Sequence, residues 1–365
     1  MGLMTGTTNF KMLKTKYSDF SIPTLEIKVD GTKMVASKDI MVQELSVDLT
    51  CGYEASGCEF LIGNCYDSKK KDYESTVIDK FQIGKKVEIL VGYKKTEMVF
   101  LGYIDTVSYE FGDGIVGEVR VRCMDAKGLL MKNRRLEAFK ETSADAVVKS
   151  LLSNQPVSYF LSGKDVDTCS KEEVPLRTGM KTDYEIVVEQ AEKLGFEFFI
   201  IQGKAYFRKA EKTTTPIMTL EPEFCVEEAR ISFSANKLVE NIEVRSINQE
   251  NGKMIRGKSK LTGKFSKGTS AGKLYRSTTQ VYYEPGVESA SEASKRASVR
   301  LNAQKSHFGS MELVCVGIPE LVPGRFVKLD KFAPIVNGKY YITGITHNFD
   351  TNGYTTTVNA RRSSL

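Results

Sequence analysis

The sequence predicts a mainly β (α+β) chain, in which two similar antiparallel β-units enclose a small α/β segment. One pattern of strands and glycines occurs twice, from about residue 83 to 125 and again from about residue 322 to the C-terminus. Apolar and polar residues alternate through most other β regions, which is typical of half-buried strands. Two capped helical patterns and a hairpin pattern lie between about residues 134 and 208. Alternation with glycine turns fits an antiparallel barrel or a sandwich.

The first 133 residues are predicted to be strands joined by turns. Three short segments alternate in this way, and the pair Asp30-Gly31 marks a hairpin after the first segment. The charged stretch from Tyr66 to Lys80 has apolar residues at roughly helical spacing, which predicts a short surface helix. The apolar positions of the three segments are Leu25, Ile27 and Val29, then Leu45, Val47 and Leu49, then Cys58, Phe60 and Ile62.

Each copy of the duplicated pattern consists of three strands, and a glycine precedes the first strand of each copy. Gly84 comes before the first strand of copy one, and Gly324 comes before the first strand of copy two. Comparison of the second strands places Asp105-Thr106 against Thr346-His347. A glycine-containing hairpin then leads to the third strand. The matched strands are 86–90 and 325–329, 99–107 and 340–347, and 118–123 and 354–360.

The middle of the chain predicts a compact α/β insertion. Thr142 is a suitable N-cap for a first helix, and Thr182 with Glu185 forms a capping box for a second helix that ends at Gly195. A hairpin pattern over 196–208 follows directly. The apolar stripes of the two helices are Val147, Val148, Leu151 and Leu152, then Ile186, Val187, Ala191 and Leu194.

The length of 365 residues exceeds one ordinary core, so we expect two or three domains. The predicted boundaries are 1–133 for the first β-domain, 134–212 for the insertion and 213–365 for the second β-domain. No apolar stretch approaches the roughly 18–20 residues that span a bilayer. The N-terminal residues 1–22 lack an apolar signal core, which favours assembly in the cytosol.

The seven cysteines are predicted to be free, mostly buried thiols in a reducing compartment. They form no CxxC pair of the kind that binds zinc. Cys51, Cys58 and Cys65 are spaced seven residues apart, which could suggest a metal site or a disulfide. Cys58, however, alternates with Phe60 and Ile62, so it is better explained as an inward residue of a strand.

The second β-domain contains a basic segment from about 251 to 283, predicted to be a long exposed loop or an extended hairpin. It could contact an acidic partner surface or nucleic acid, or it could simply be solvated. The net charge of +6 and the sparse aromatic residues argue against nucleic acid. A helix with small residues is predicted over about 288–306. The basic residues are Lys253, Arg256, Lys258, Lys260, Lys264, Lys267, Lys273 and Arg276.

The sequence contains no recognisable catalytic, metal-ligating or cofactor-binding cluster. His307 and His347 are the only histidines, and neither has a second histidine at metal-binding spacing. The segment 112–117 matches GxGxxG but leads into a strand pattern, which favours a hairpin over a dinucleotide site. Glu227 and Glu228 are adjacent, and neighbouring residues of a strand point to opposite faces, so they are poorly placed as a glycosidase pair.

Three stretches of the duplicated pattern resemble the phage late control protein D family, which comprises baseplate hubs of contractile tails. These stretches are 81–104, 121–126 and 321–347. They are also similar to the N-terminal hub region of the type VI secretion spike protein VgrG and to the T4-type hub. The resemblance covers most of the chain, and the order, duplication and intervening insertion all agree with it.

The resemblance implies two tube-like antiparallel β-barrel domains with the small α/β insertion between them. It implies a homotrimer, because two similar domains per chain give a ring of six units. Such a ring would match a hexameric tail tube protein on one face and a trimeric spike on the other. Strands joining across subunits, with a helix packed on each barrel, would close the sheet edges.

The resemblance also implies partners and a location. Because the sequence ends at Leu365, shortly after copy two, we expect a separate spike protein, with baseplate wedge and tape-measure proteins as further neighbours. We expect no cofactor, no membrane insertion and no specific nucleic acid ligand. Assembly is expected in the bacterial cytoplasm, and residence in the tail baseplate of a phage, a bacteriocin or another contractile injection system. A tail-associated cell-wall hydrolase and a wall-binding module are the alternatives.

Overall fold

The structure, a computed structural model, describes residues 4–34, 41–112, 115–136, 139–140, 143–170, 179–249, 251–261 and 273–363. It is mostly β, which confirms the predicted fold class. The strands of the first β-unit are β1 (Thr24–Val29), β2 (Thr32–Lys33), β3 (Met41–Thr50), β4 (Gly57–Gly63), β5 (Tyr66–Asp67), β6 (Asp72–Tyr73), β7 (Lys86–Gly92), β8 (Thr96–Gly112) and β9 (Ile115–Met124). Its helices are α1 (Phe10–Lys16) and α2 (Ser75–Lys80).

The insertion and the second β-unit follow in chain order. The insertion contains α3 (Lys127–Leu130), β10 (Arg134–Arg135), α4 (Ala144–Leu151), β11 (Gly163–Val166), β12 (Lys181–Thr182), α5 (Asp183–Leu194), β13 (Phe196–Ile201) and β14 (Lys204–Lys209). The second β-unit contains β15 (Pro216–Leu220), β16 (Val226–Phe233), β17 (Asn241–Ile247), β18 (Met254–Lys260), β19 (Thr279–Tyr283), α6 (Ala290–Lys305), β20 (Gly309–Val316), β21 (Phe326–Leu329), β22 (Gly338–Asp350) and β23 (Gly353–Arg362).

Both β-units belong to one continuous sheet. Among the described residues, thirteen strands form it, in the order β16-β20-β23-β22-β3-β4-β9-β8-β7-β1-β2, with β21 beside β22 and β15 beside β21. The main apolar core likewise contains residues of both units, including Phe60 of the first and Tyr340 of the second. The strands and core therefore run across the predicted domain boundaries, which stay a prediction.

The alternating segments of the first unit form strands as predicted. Leu25, Ile27 and Val29 of β1 are buried, and the chain turns back at Asp30 and Gly31 with positive φ angles of 48° and 77°. The predicted helix over 66–80 is only partly correct, because α2 begins at Ser75. The earlier residues form the β5–β6 hairpin, since the Asp67 carboxylate accepts the backbone N–H groups of the turn residues Lys69 and Lys70.

The insertion has its own apolar core, and its second helix is capped as predicted. Thr182 and Glu185 form both bonds of the capping box, and Gly195 ends α5 with φ of 68°. The N-cap position of α4 is Ser143, whereas the predicted cap, Thr142, lies outside the described residues. Leu194 is 37% exposed, so its predicted place in the buried stripe is wrong.

The basic segment is largely strand where the structure describes it. β18 pairs with β17 in an antiparallel hairpin, and β19 adds to β17 in parallel. Of the two predictions for residues 251–283, the extended hairpin therefore describes residues 254–260 better. Helix α6 packs on one face of this small sheet, through Ala293 and Ala297, which are fully buried. Small residues permit this close packing, as the sequence predicted.

Gly257 of β18 marks the closest approach of α6 to this sheet. A Cβ atom at this position would lie 2.1 Å from the backbone nitrogen of Ser294 and 2.6 Å from the Ala293 Cβ. Because backbone cannot move as a flexible side chain can, we expect Gly257→Val to lower the free energy of unfolding by about 2 kcal/mol or more. Gly179→Val is the control, because no atom lies within 4 Å of its Cβ position and its φ lies outside the left-handed region. Urea unfolding of both variants tests this, and equal losses would contradict it.

Candidate assembly interface

The duplicated pattern corresponds to a duplicated arrangement of strands. In copy one β7, β8 and β9 form a meander with β4 and β3 beyond β9, and in copy two β21, β22 and β23 do so with β20 and β16 beyond β23. Gly84 and Gly324 both have positive φ, 89° and 79°, and their N–H groups donate to the carbonyls of Ile104 and Ile342 at 2.8 and 2.9 Å. Ile104 and Ile342 are therefore equivalent residues.

Two β-bulges fix the rest of the correspondence. The β8–β9 register shifts between Ile104 and Thr106, and the β22–β23 register shifts between Ile342 and Gly344. Asp105-Thr106 therefore corresponds to Thr343-Gly344, so the sequence comparison with Thr346-His347 is wrong by three residues. It failed because similar glycine-containing stretches were aligned, whereas the backbone hydrogen bonds define the true register.

The positions of β-bulges likewise show which residues of β3 and β16 are equivalent. The β3–β4 register shifts between Val42 and Glu44, and the β16–β20 register shifts between Val226 and Glu228. The bulge leaves both Glu227 and Glu228 exposed, so the simple alternation that the sequence predicted for this pair does not hold. The equivalent residues along the two strands are Leu45 and Ala229, Ser46 and Arg230, Val47 and Ile231, Asp48 and Ser232, Leu49 and Phe233, and Thr50 and Ser234.

The two β-units are joined where β3 pairs with the second half of β22. The strands are antiparallel and run from Thr50 opposite Gly344 to Leu45 opposite Phe349. One face of this junction is apolar and buried: Val47 is 0% exposed and lies opposite His347, which is 1% exposed. On the other face two polar pairs are hydrogen-bonded. The Ser46 hydroxyl donates to Asn348 Oδ1 at 3.1 Å, and the Thr346 hydroxyl donates to Asp48 Oδ1 at 2.7 Å.

The equivalent positions of copy one lack a neighbouring strand, although the ring of Tyr73 in the β5–β6 hairpin contacts the rings of Tyr109 and Phe111 at centroid distances of 4.9 and 5.7 Å. Within the described part of the chain, only β9 pairs with residues 106–112 of β8, and only β20 pairs with β16. Tyr109, the equivalent of His347, is 47% exposed, and Phe111, the equivalent of Phe349, is 61% exposed. We call residues 106–111 the β8 edge and residues 229–234 the β16 edge.

The histidine at the junction is a core residue. His347 Nδ1 lies 2.9 Å from the Tyr354 hydroxyl and 3.1 Å from the Thr356 hydroxyl. Burial lowers the pKa of His347 to about 3, so the ring is neutral at physiological pH. His307, at the end of α6, is exposed and its pKa is lowered mainly by partial burial.

A buried carboxylate, which sequence reasoning missed, connects the insertion to the sheet. The Tyr341 hydroxyl donates to Glu197 at 2.6 Å, and Arg208 and Arg361 lie 3.9 Å from the carboxylate. Burial raises the pKa of Glu197 to about 7. The group borders a cleft of about 1560 Å³ whose wall also includes acidic and basic residues of α5 and α6. The only signal in the sequence was a charged residue inside the apolar hairpin pattern.

The predicted partner-contact residues divide into three groups. Arg256, Lys258 and Lys260 alternate along β18 and are exposed on the side of the sheet opposite α6, and we call these three residues the basic face. Lys260 lies 3.2 Å from Glu240. Lys253, Lys273 and Arg276 are exposed elsewhere, and Lys264 and Lys267 lie outside the described residues.

Other predictions from the sequence can be compared directly. All seven cysteines are free, and six are buried, as predicted. Gly112 pairs with Ile115, so the GxGxxG stretch leads into the β8–β9 hairpin rather than a helix. In the described ranges, no three His, Cys, Asp or Glu side chains group as metal ligands. None of the described helices is long and apolar enough to cross a membrane.

Two solved structures similar to this chain are tail proteins. The 43 kDa tail protein of prophage MuSo2 from Shewanella oneidensis is 14% identical with a TM-score of 0.71, and the match covers 93% of this chain and 98% of that chain. A tail protein from Neisseria meningitidis MC58 is 12% identical with the same TM-score, over 93% and 97% of the two chains. The TM-scores of 0.71 establish a shared fold.

A third structure extends the comparison to secretion. The Escherichia coli c3393 protein, a component of the type VI secretion system with structural similarity to the T4 tail proteins gp27 and gp5, is 10% identical. Its TM-score is 0.57, over 92% of this chain and 76% of that chain. No curated protein matches the sequence. A family profile described as Alg8 N-terminal domain matches residues 19–351.

Proposed function

This chain belongs to the Alg8 N-terminal domain family, and we propose that it is the structural baseplate hub of a contractile tail or a related injection particle. The observation that carries the proposal is the repeated β-unit inside one sheet, in which β3 of copy one completes copy two. The similar folds of a prophage tail protein, a second tail protein and a type VI secretion component support it. The matching profile is not that of late control protein D, so that narrower assignment remains part of the proposal.

The proposed assembly is a homotrimer. Each chain contributes two equivalent β-units, so three chains give a ring of six similar units with threefold symmetry. One face of this ring seats a hexameric tail tube protein, and the other face seats a trimeric spike. Baseplate wedge and tape-measure proteins are the expected further neighbours, and the particle assembles in the bacterial cytoplasm before the chain takes its place in the baseplate.

Native mass spectrometry of the full chain tests the proposed trimer. A mass of about 122 kDa, three times the chain mass of 40.7 kDa, is the expected result. A stable monomer in the presence of the tube and spike proteins from the same gene cluster would contradict it. The two predicted domain boundaries do not affect this test, because it uses the whole chain.

The basic face is proposed to contact an acidic surface of a neighbouring tail component. Across β17, the same sheet carries exposed apolar side chains on β19, Val281 at 49% and Tyr283 at 62% exposure, and such mixed surfaces are common at interfaces. Reversing charge at Arg256 and Lys258 together is expected to weaken particle assembly about tenfold at low salt, with a smaller effect at high salt. Reversal of the exposed Lys94 and Lys95 is the matched control. Equal assembly of both double variants would refute the contact.

A cell-wall hydrolase is the one alternative that a specific observation favours. Glu197 has a raised pKa and borders the large cleft, which are features of catalytic acids. Its carboxylate is nevertheless bonded to Tyr341 and lies between two arginines, so we propose a structural role. A zymogram on peptidoglycan decides between them: clearing by the natural chain that Glu197→Gln abolishes would establish the hydrolase. A pull-down on peptidoglycan tests the wall-binding module.

A further inference from the structure

The β8 edge and the β16 edge are the two places where the duplicated units lack the contact that joins them inside the chain. In copy two, the second half of β22 is covered by β3. In copy one, the equivalent half of β8 has no such neighbour among the described strands, and β16, the equivalent of β3, is an edge strand. Unpaired strand edges readily pair with another chain.

We infer that the β16 edge of one chain pairs with the β8 edge of a second copy of this chain, antiparallel and in the register of the β3–β22 junction. The equivalences established above define every pair of this contact. Its pairs are Ala229 with Phe111, Arg230 with Glu110, Ile231 with Tyr109, Ser232 with Ser108, Phe233 with Val107, and Ser234 with Thr106.

The side chains of the two edges match in this register although the register was fixed without using them. Ile231 and Phe233 meet Tyr109 and Val107 on the face where Val47 and Leu49 are buried inside the chain. This contact would cover Tyr109, which is 47% exposed in the single chain. A register shifted by one residue would instead place these apolar residues against polar ones.

The opposite face matches in charge and hydrogen bonding. Arg230 is placed beside Glu110, which already accepts a bond from Arg120 at 2.6 Å, and Arg120 also bonds Glu59 at 2.6 Å. Arg230 therefore extends a row of alternating charges across the chain boundary. Ser232 and Ser108 replace the pair formed inside the chain by Asp48 and Thr346, whose side chains are bonded at 2.7 Å.

The contact is head-to-tail, because each chain offers two different edges. Such contacts close into a ring when the rotation between copies permits it. The number of copies in the ring, three, rests on the proposed function, whereas the pairing of the two edges follows from the internal junction alone. The inference thus gives the proposed trimer a specific interface.

Paired cysteines test the contact in the full chain. Residues directly opposite in an antiparallel pair have Cα atoms about 4.5–5.5 Å apart, which lies inside the range of about 4.4–6.8 Å that disulfides span. The double variant Ser108→Cys with Ser232→Cys is expected to form covalent multimers in mild oxidant, visible on a non-reducing gel. The parent chain, in which six of the seven native cysteines are buried, and each single variant should remain uncrosslinked.

A register control uses a different residue of the same strand. Ser108→Cys with Glu228→Cys places the thiols four residues out of register, about 13 Å apart along the strand. Crosslinking of this control at the rate of the first pair, or no crosslinking of either pair, overturns the inference. If native mass spectrometry shows a trimer but the Ser108–Ser232 crosslink does not form, only the proposed interface is wrong. If the chains crosslink but are absent from the tube–spike junction of the particle, only the proposed function is wrong.

Discussion

Tyr109→Asp is expected to leave the chain folded but to weaken its self-association at least about 100-fold. Tyr109 is half-exposed in the single chain, so the aspartate remains solvated in the folded monomer. In the paired edges it faces Ile231, and burying an unpaired carboxylate there costs several kcal/mol at each interface. A loss of about 2.8 kcal/mol corresponds to a 100-fold weaker association.

Sedimentation equilibrium of the natural chain and the variant measures this effect. Ile83→Asp is the matched control, because Ile83 is 70% exposed and lies on neither edge. Circular dichroism should show the same fold for all three proteins. Assembly of the Tyr109 variant with unchanged affinity would show that the β8 edge is not the interface.

Acidification from pH 7 to pH 4 is expected to remove about 3 kcal/mol of stability through His347 alone. The folded-state pKa of His347, about 3, lies below its ordinary value, because burial disfavours the charged ring. As the pH falls below about 6.5, protons bind the unfolded chain before they bind the folded one. Stability from this group is therefore complete above pH 6.5 and is lost progressively towards pH 3, at about 1.4 kcal/mol per unit.

Urea unfolding of the natural chain and of His347→Gln, at a fixed chain concentration, isolates this contribution. Glu197 acts in the opposite sense, because its pKa is raised to about 7 and it loses stability as the pH rises from about 4.5 to 7. The difference between the two proteins removes that common effect. The variant should be less sensitive to acid than the natural chain, and His307→Gln should resemble the natural chain. Equal acid sensitivity of the His347 variant would contradict the assignment.

The strands were predictable from sequence because their signals are local. Alternation of Leu25, Ile27 and Val29 places one face of β1 in the core, and the positive φ angles of Asp30 and Gly31 form the predicted hairpin. The capping box of Thr182 and Glu185 is a contact between residues three positions apart, so it too is visible in the sequence. The duplicated pattern was found for the same reason.

The correspondence between the copies and the interface depended on contacts that sequence patterns do not record. The equivalence of Ile104 and Ile342 rests on the backbone hydrogen bonds that they accept from Gly84 and Gly324, which residue types do not reveal, so similar glycine-containing stretches were aligned instead. The pairing of β3 with β22 joins residues about 300 positions apart. Leu194 fits the helical stripe but lies at the last residue of α5, where the helix leaves its core. The buried Glu197 needed the positions of Tyr341, Arg208 and Arg361.

The ring of six β-units is tested most directly by an electron microscopy reconstruction of the assembled tail tip, with this chain identified by an epitope tag. The proposed function predicts three copies at the junction of tube and spike, arranged with threefold symmetry. Their six β-units should form a ring that is close to sixfold symmetric. It also predicts that density for β16 of one copy is continuous with β8 of the next. A tagged chain away from the tube–spike junction, or a ring of other than three copies, would contradict it.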